Sequence, residues 1–461
     1  MTPILPRRGT LDPRCDAGHG GGARAPIPGG PLSAPAVPSG TDFGISIDDV
    51  DLSDRTFWAQ PPEVKHAVLD LLRAESPFAY FAEPVIPYLP VGPGYRAVTR
   101  YADLEAISCR PDLFSSGAGA VSIQDMPPDL NEFYGSLISM DDPRHAKIRR
   151  IVAKAFTPKI LQGLVGSVQA VAEDVVAHAR RTAAEGDGTI DVVADIAAPV
   201  PLRVICDLMG VPEEDRAMVL QQSNVILSGG DPELIESEDN AVAAFLQAGE
   251  LLAGLMTRMA VERRARPTED LTTALVNAEV DGERLTDQEI ASFFILLLVA
   301  GNETTRNAIS QGVLALSEHP DQRDRWAADP GLDRTAVEEI VRWTSPITWM
   351  RRTSTQEVEL SGQTFPAGTK FLLFYAAANR DPAVFADPHR FNLGRDPNPH
   401  VGFGSKGPHF CLGAHLARRE IAVTFRTLFE HLPDLEVVGP PDRLQSSFVN
   451  GLKRLPARLA R

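Results

Sequence analysis

The sequence predicts a mainly α protein, a single large helical domain with a minor β-sheet region. Apolar residues recur at three- and four-residue spacing through several long segments, while β signals are short and few. No internal repeat divides the chain, although 461 residues would allow two domains.

Taken in order, residues 1–42 are rich in Pro, Gly and Ala and read as a disordered tail, which leaves 43–461 as the domain. From Ser53 onward helical patterns dominate: "PPEVKHAVLDLLRAE", "LVGSVQAVAEDVVAHARRTAAEG", "NAVAAFLQAGELLAGLMTRMAVERR", "TDQEIASFFILLLVAGNETTRNAISQGVLALSEHP" and "TAVEEIVRWTS". Several open near Asp, Thr or Pro, as helix starts do. "GYRAVTR" reads as a strand, and "VELSGQTFPAGTKFLLFYAA" as a hairpin-like unit turning at Pro-Ala-Gly.

A formal charge of -16 disfavours nucleic acid as a partner. Cys15, Cys109, Cys206 and Cys411 follow no repeating spacing, so no disulfide framework is expected and a reducing cytoplasm is the default. The apolar run before Glu303 is too short for a clean membrane span, and the N-terminus offers no signal-peptide h-region. Without a Rossmann glycine fingerprint or a flavin-domain pattern, any electrons come from outside.

Three short stretches break the ordinary pattern. "AGNETT" (Ala300 to Thr305) interrupts a long apolar helix with glycine and a carboxylate. Thr304 lies four residues after Ala300 and eight after Leu296, on a face suited to a flat ligand. The plainer alternative is a threonine bonded back to the preceding turn, with Glu303 in a salt bridge. In "EEIVRW", Glu339 and Arg342 sit three apart, a spacing common to surface pairs. In "GSKGPHFCLGAHLARREI", Cys411 lies between His409 and His415 at the start of a helix. Zinc is disfavoured for want of a spaced second pair, a cysteine nucleophile is a weak signal, and an inert buried thiol is the usual outcome. Gly404 and Gly407, which let backbone approach a ligand, and the helix N-terminus, which favours a thiolate, also suit iron.

"FGSKGPHFCLG" resembles the cysteine-ligand loop of the cytochrome P-450 haem-thiolate monooxygenases, with Phe403, Gly404, His409, Cys411 and Gly413 in its places. "AGNETT" is similar to the family's oxygen-activation motif, "EEIVRW" to its Glu-x-x-Arg helix, and "PHRF" to the motif that adds Arg390 to that pair. "DDPRHAKIRR" resembles the helix supplying His145 and Arg149 to a haem propionate, and "WMRRTS" puts Arg352, or alternatively Arg351, at another propionate site. All occur in the family's order from about Phe57 onward. The likeness extends to actinobacterial enzymes that hydroxylate the terminal carbon of methyl-branched lipids and sterol side chains; "GSKG" and the tail before Ser53 depart from them.

The resemblance implies a cytochrome P-450 fold and insertion of one oxygen atom from O2 into an unactivated C–H bond. Cys411 would be the axial ligand of haem b, and His145, Arg149, Arg352 and His409 would hold its propionates. Ala300 and Gly301 would form the oxygen groove, with Thr304 passing protons fed by Glu303. Lys147 and Arg150 would be solvated or partner-facing. Pocket walls would carry Ile123, Phe133, Ile226, Leu227, Leu296, Val299, Ile347, Trp349, Phe448 and Val449, with Gly229 to Pro232 as a lid turn. Electrons would come from NAD(P)H through a ferredoxin reductase and a ferredoxin docking near Lys406, Arg418 and Arg419. The expected form is a monomer without membrane anchor. Alternatives are a monooxygenase tailoring a macrolide or terpenoid, and a haem-thiolate sensor without turnover.

Overall fold

The computed structural model describes residues 44–86, 90–155, 158–227, 233 and 238–459. The tail expected over 1–42 lies outside them. The principal helices are α1 (Pro62–Glu75), α2 (Tyr101–Ser108), α3 (Pro128–Gly135), α4 (Arg144–Ala155), α5 (Pro158–Glu185), α6 (Pro199–Met209) and α7 (Arg216–Leu227). They continue with α8 (Glu238–Ala265), α9 (Leu271–Asn277), α10 (Asp287–Glu318), α11 (Pro320–Ala328), α12 (Asp333–Thr344) and α13 (Ala414–His431).

Helix starts follow local chemistry. Thr286 accepts from the Glu289 N–H while the Glu289 carboxylate accepts from the Thr286 N–H, a reciprocal cap opening α10. Proline at the first turn opens α1, α3, α6 and α11, where its missing N–H costs nothing. Gly210, at φ +70, closes α6 in the left-handed conformation that glycine tolerates.

Helix α10 runs through the middle of the helical region, against α3, α6, α7, α8, α12 and α13. Its Phe293, Phe294, Ile295 and Leu298 are buried, each contributing about 1.5–3 kcal/mol of apolar transfer. A mixed sheet lies to one side. Its strands are β1 (Tyr80–Phe81), β2 (Tyr95–Val98), β3 (Phe114–Ser115), β4 (Trp349–Ser354) and β5 (Lys370–Phe374), in the order β1-β2-β5-β4-β3. Only the β2–β5 pair is parallel, and Arg351 and Arg352 stand opposite Leu372 and Phe371 across the antiparallel β4–β5 pair. A separate apolar cluster, including Trp58, Ile123, Trp349 and Phe374, packs on this sheet.

The hairpin differs from expectation. Val358–Leu360 pairs with Gln363–Phe365 around Ser361 and Gly362, both at positive φ as a two-residue turn requires. The Pro366, Ala367, Gly368 turn instead redirects the chain into β5, which leaves the hairpin for the larger sheet. Among the described residues no helix is long and apolar enough to cross a membrane.

Candidate active site

Cys411 sits on the turn entering α13, where its N–H donates to the Phe403 carbonyl at 2.9 Å and the Gly404 N–H to the Val401 carbonyl at 2.9 Å. Gly404 and Gly407 have φ +86 and +131, and a Cβ on Gly407 would run into the Ser108 carbonyl at the end of α2. Glycine is required there on both grounds. Burial pushes the Cys411 thiol up, while the N–H groups of Gly413 and Ala414 and the cations Arg149 and Arg418 draw it down. Cys411 as a residue nevertheless keeps an accessible surface. Among the described residues no cluster of three or more His, Cys, Asp or Glu is arranged to hold a metal ion, which leaves the zinc alternative without support.

Around this turn gather four basic side chains. The imidazoles of His145 and His409 lie 4.2 Å apart, and Arg149 donates to the Phe410 carbonyl at 2.7 Å. His409 is drawn down to about 2, first by burial and then by Arg352, His145 and Arg149. Burial and Arg149 lower His145 as well, against Asp142 at 3.4 Å. The buried Nε2 of His145 and Nδ1 of His409 have no hydrogen-bond partner among the described residues. Arg352 is buried and donates to the Arg351 carbonyl at 2.7 Å.

Strand alternation separates the two arginines that the sequence left open. Arg351 makes a 2.6 Å ion pair with Asp125, whereas among the described residues the guanidinium of Arg352 has no carboxylate within ion-pair distance. Lys147 and Arg150 pair with Glu283 and Asp281, away from the cluster.

On α10, Leu297, Ala300, Gly301 and Thr304 are only partly covered, as Val299 is, while Leu298, Asn302, Glu303 and Thr305 are buried. The spacing of Leu297, Ala300, Gly301 and Thr304 puts them on one face, a partly open stripe along a packed helix, where a Cβ on Gly301 would meet the Ile205 side chain of α6 at 2.7 Å. Leu297 takes the place expected for Leu296, which is 9% exposed. The Thr304 hydroxyl donates to the Ala300 carbonyl at 2.7 Å, as the plainer reading of the threonine requires. Glu303 points into packing: Oε1 accepts from Arg306 and, at 2.8 Å, from Asn307, while Oε2 has no partner among the described residues. Arg306 in turn reaches Asn224 of α7 at 3.2 Å.

Glu339 and Arg342 form a fully buried two-point pair at 2.7 and 2.8 Å, and Arg342 also donates to the carbonyls of Asn379 and Pro388 at 2.9 Å. The third side chain is Arg395, at 3.2 Å from Glu339, and not Arg390, which is exposed and contributes its backbone carbonyl. The chain turns at Asp387, sending the Arg390 side chain outward and bringing Arg395 back to the pair.

The expected wall residues divide. Ile123, Trp349 and Phe448 belong to the sheet-side cluster, whereas Leu296 is in the helical core against which Phe133, Ile226 and Val299 pack. Ile347 packs against a third cluster and bridges to the buried Val449. The side chain of Leu227, and Gly229 to Pro232, lie outside the described residues. Arg418 is engaged by Glu338 at 2.5 Å and stacks over Phe403 at 4.4 Å, Lys406 lies 3.3 Å from Glu105, and Arg419 is exposed.

Sequence reasoning missed Arg395, Asp141 and Glu420. Asp141 receives the N–H groups of Ser116 and Gly117 at 2.7 and 3.2 Å. Glu420 is buried on α13, bonded to the Thr305 hydroxyl and pushed up to about 8 by burial. The one available signal was a carboxylate at an apolar position of α13.

A family model described as "Cytochrome P450" matches residues 232–328 and 332–455. The methyl-branched lipid omega-hydroxylase of Mycobacterium tuberculosis is 48% identical over 89% of this chain and 95% of its own length. The steroid C26-monooxygenase of Mycolicibacterium smegmatis is 40% identical over 78% of this chain and 82% of its own. A Mycobacterium marinum cytochrome P450 solved with pseudoionone superimposes with a TM-score of 0.82 at 40% identity, covering 89% of this chain and 99% of that one. Members of this family hold a haem iron, use dioxygen, bind hydrophobic substrates and take electrons from external donors. At that identity and coverage the chain belongs to the cytochrome P450 family and is a monooxygenase.

Proposed function

We propose that this monooxygenase hydroxylates the terminal carbon of methyl-branched lipid chains, and that sterol side chains, which end in the same branched carbon, are its second substrate class. The relative at 48% identity is named for the first and the relative at 40% for the second. The observation that carries the haem site is the gathering of Arg352, Arg149 and two imidazoles, with buried ring nitrogens of His145 and His409 unpartnered. Such a donor set fits a dianionic group with two carboxylates.

When bound, haem supplies an iron that binds and activates dioxygen. Cys411 would provide the thiolate on binding iron; burial pushes the free thiol up, and the N–H groups of Gly413 and Ala414 with Arg149 offset part of that rise. Phe403 and Gly404 shape its loop, and Ala300 and Gly301 keep the facing helix low. Arg352, His145, Arg149 and His409 would hold the carboxylates. The Thr304 hydroxyl, bonded through its proton to Ala300, keeps oxygen lone pairs for an ordered water and so holds and passes a proton. Glu303 holds Arg306 through one oxygen, and its other oxygen, without a partner among the described residues, would accept a hydrogen bond from the relay.

Electrons come from NAD(P)H through a ferredoxin reductase and a ferredoxin, delivered to a cytoplasmic monomer whose domain spans 43–461, behind a tail over 1–42. The test is the reduced, carbon monoxide-bound spectrum of wild type and Cys411→Ser, followed by turnover of a branched fatty acid, cholest-4-en-3-one and a macrolide. A thiolate-type band lost in the variant, with terminal hydroxylation of the first two, is the expected outcome. Turnover of the macrolide alone would transfer the chain to the tailoring reading.

A further inference from the structure

Arg351 and Arg352 leave β4 on opposite sides. Arg352 serves the basic cluster, and Arg351 turns into the loop before α3. There its Nη1 donates to three successive carbonyls, Ser122 at 3.3 Å, Ile123 at 3.1 Å and Gln124 at 3.4 Å, and its Nη2 to Asp125 at 2.6 Å. Its backbone N–H donates to the Ala120 carbonyl at 2.8 Å. Gly119, at φ +129, passes so close that a Cβ would lie 2.9 Å from the guanidinium. From the neighbouring β5, Lys370 donates to Ile123 at 3.1 Å and pairs with Asp125 at 3.1 Å and Glu83 at 2.7 Å.

Two cations thus meet two carboxylates, so no anionic ligand is needed to balance them. Three of the four are buried, with side chains of Arg351, Lys370 and Glu83 at 1, 2 and 0% exposure, while Asp125 stands 54% exposed. A buried ion network is weak evidence for added stability and is better suited to selecting one conformation. The segment so held carries Ile123, which packs with Trp349 and Phe448, and it begins at Ser116 and Gly117, whose N–H groups rest on Asp141. Asp141 also acts electrostatically on Arg352. One loop therefore joins the basic cluster to the apolar wall.

We propose that Arg351, Lys370 and Asp125 are positioning residues which fix residues 119–125 in one conformation and thereby decide which carbon of the substrate is hydroxylated. The proposal deepens the lipid-hydroxylase reading and rests on it. Asp125 is the releasable end: it is exposed and on the loop, whereas its partners belong to the sheet. Loosening it lets the wall residues shift and the chain end slide.

The holoenzyme variants Asp125→Asn and Asp125→Glu test this. Asparagine keeps the shape and removes the charge, leaving the buried Arg351 its carbonyl acceptors, and the carbon monoxide spectrum reports whether the fold is kept. Expected for Asp125→Asn is about tenfold faster hydrogen exchange in the 116–127 peptide, since each tenfold corresponds to one weak interaction lost. The ratio of terminal to penultimate hydroxylation of a branched fatty acid should fall about threefold or more, with the carbon monoxide spectrum unchanged. Asp125→Glu should restore both. An unchanged product ratio overturns the proposal, whether or not exchange rises. Should wild type not turn over branched acids, the lipid reading fails separately; the latch is then judged on exchange alone, and unchanged exchange overturns it.

Discussion

Removing the Thr304 hydroxyl deletes one hydrogen bond within its own helix, a loss of about 1 kcal/mol. Removing the Glu303 charge leaves Arg306 uncompensated in packing, a loss of about 3–5 kcal/mol when a buried pair is broken from one side. Thr304→Ala should therefore melt close to wild type, bind substrate normally and divert reducing equivalents to peroxide, whereas Glu303→Gln should lower the melting temperature by several degrees. Calorimetry beside a peroxide assay separates them; fully coupled turnover by Thr304→Ala would remove the threonine from proton handling. Glu420 makes a pH prediction. Burial raises its folded pKa to about 8 from an ordinary 4.5, so the fold binds more protons than the unfolded chain between those values. Its contribution is fully present below pH 4.5 and is lost as pH rises toward 8. Relative to Glu420→Gln, wild type should lose stability across that window, and parallel denaturation curves at pH 5 and 8 would contradict the assignment. At this scale a motif located the buried Glu339–Arg342 pair, but another named Arg390 where Arg395 makes the contact. The sequence was silent on Glu420, because no local pattern tells an accepted buried acid from a surface one.

Among the elements, α10 was legible end to end, since the Thr286 and Glu289 cap and the apolar repeat are both local. The short helices α6 and α9 and the five-stranded sheet were not, because partners far along the chain decide them. The hairpin shows why: Ser361 and Gly362 match a two-residue turn, yet Pro-Ala-Gly is the louder turn signal, and only the pairing of β5 with β2 and β4 ranks them. Arg390 and Arg395 failed in the same way. They are five residues apart, and which one returns to Glu339 depends on the turn at Asp387. Arg395→Ala should cost about 1–3 kcal/mol by leaving Glu339 short of a donor. Arg390→Ala should stay within about 0.5 kcal/mol. Denaturant midpoints of the two variants check the order, and the reverse order would restore Arg390.

For the whole molecule, a charge of -16 would repel an acidic ferredoxin at long range, so the docking proposed for such a donor requires a local exception near the cysteine turn. Arg418 is committed to Glu338, which Arg418 and His400 hold down to about 2 despite its burial, so the exposed Arg419 is the better test. Arg419→Glu should slow reduction about tenfold at low salt, less as salt rises, and leave substrate affinity unchanged. Stopped-flow reduction across ionic strengths measures it, and a salt-independent rate would place docking elsewhere. Arg418→Glu should instead lower stability by freeing Glu338. The open stripe on α10 has a thermodynamic consequence. A molecule that fills it binds the native chain and not the unfolded one, so occupancy adds to folding free energy by mass action. Melting temperature then becomes a readout of cofactor supply, and chains made faster than they are loaded are the first that proteases remove.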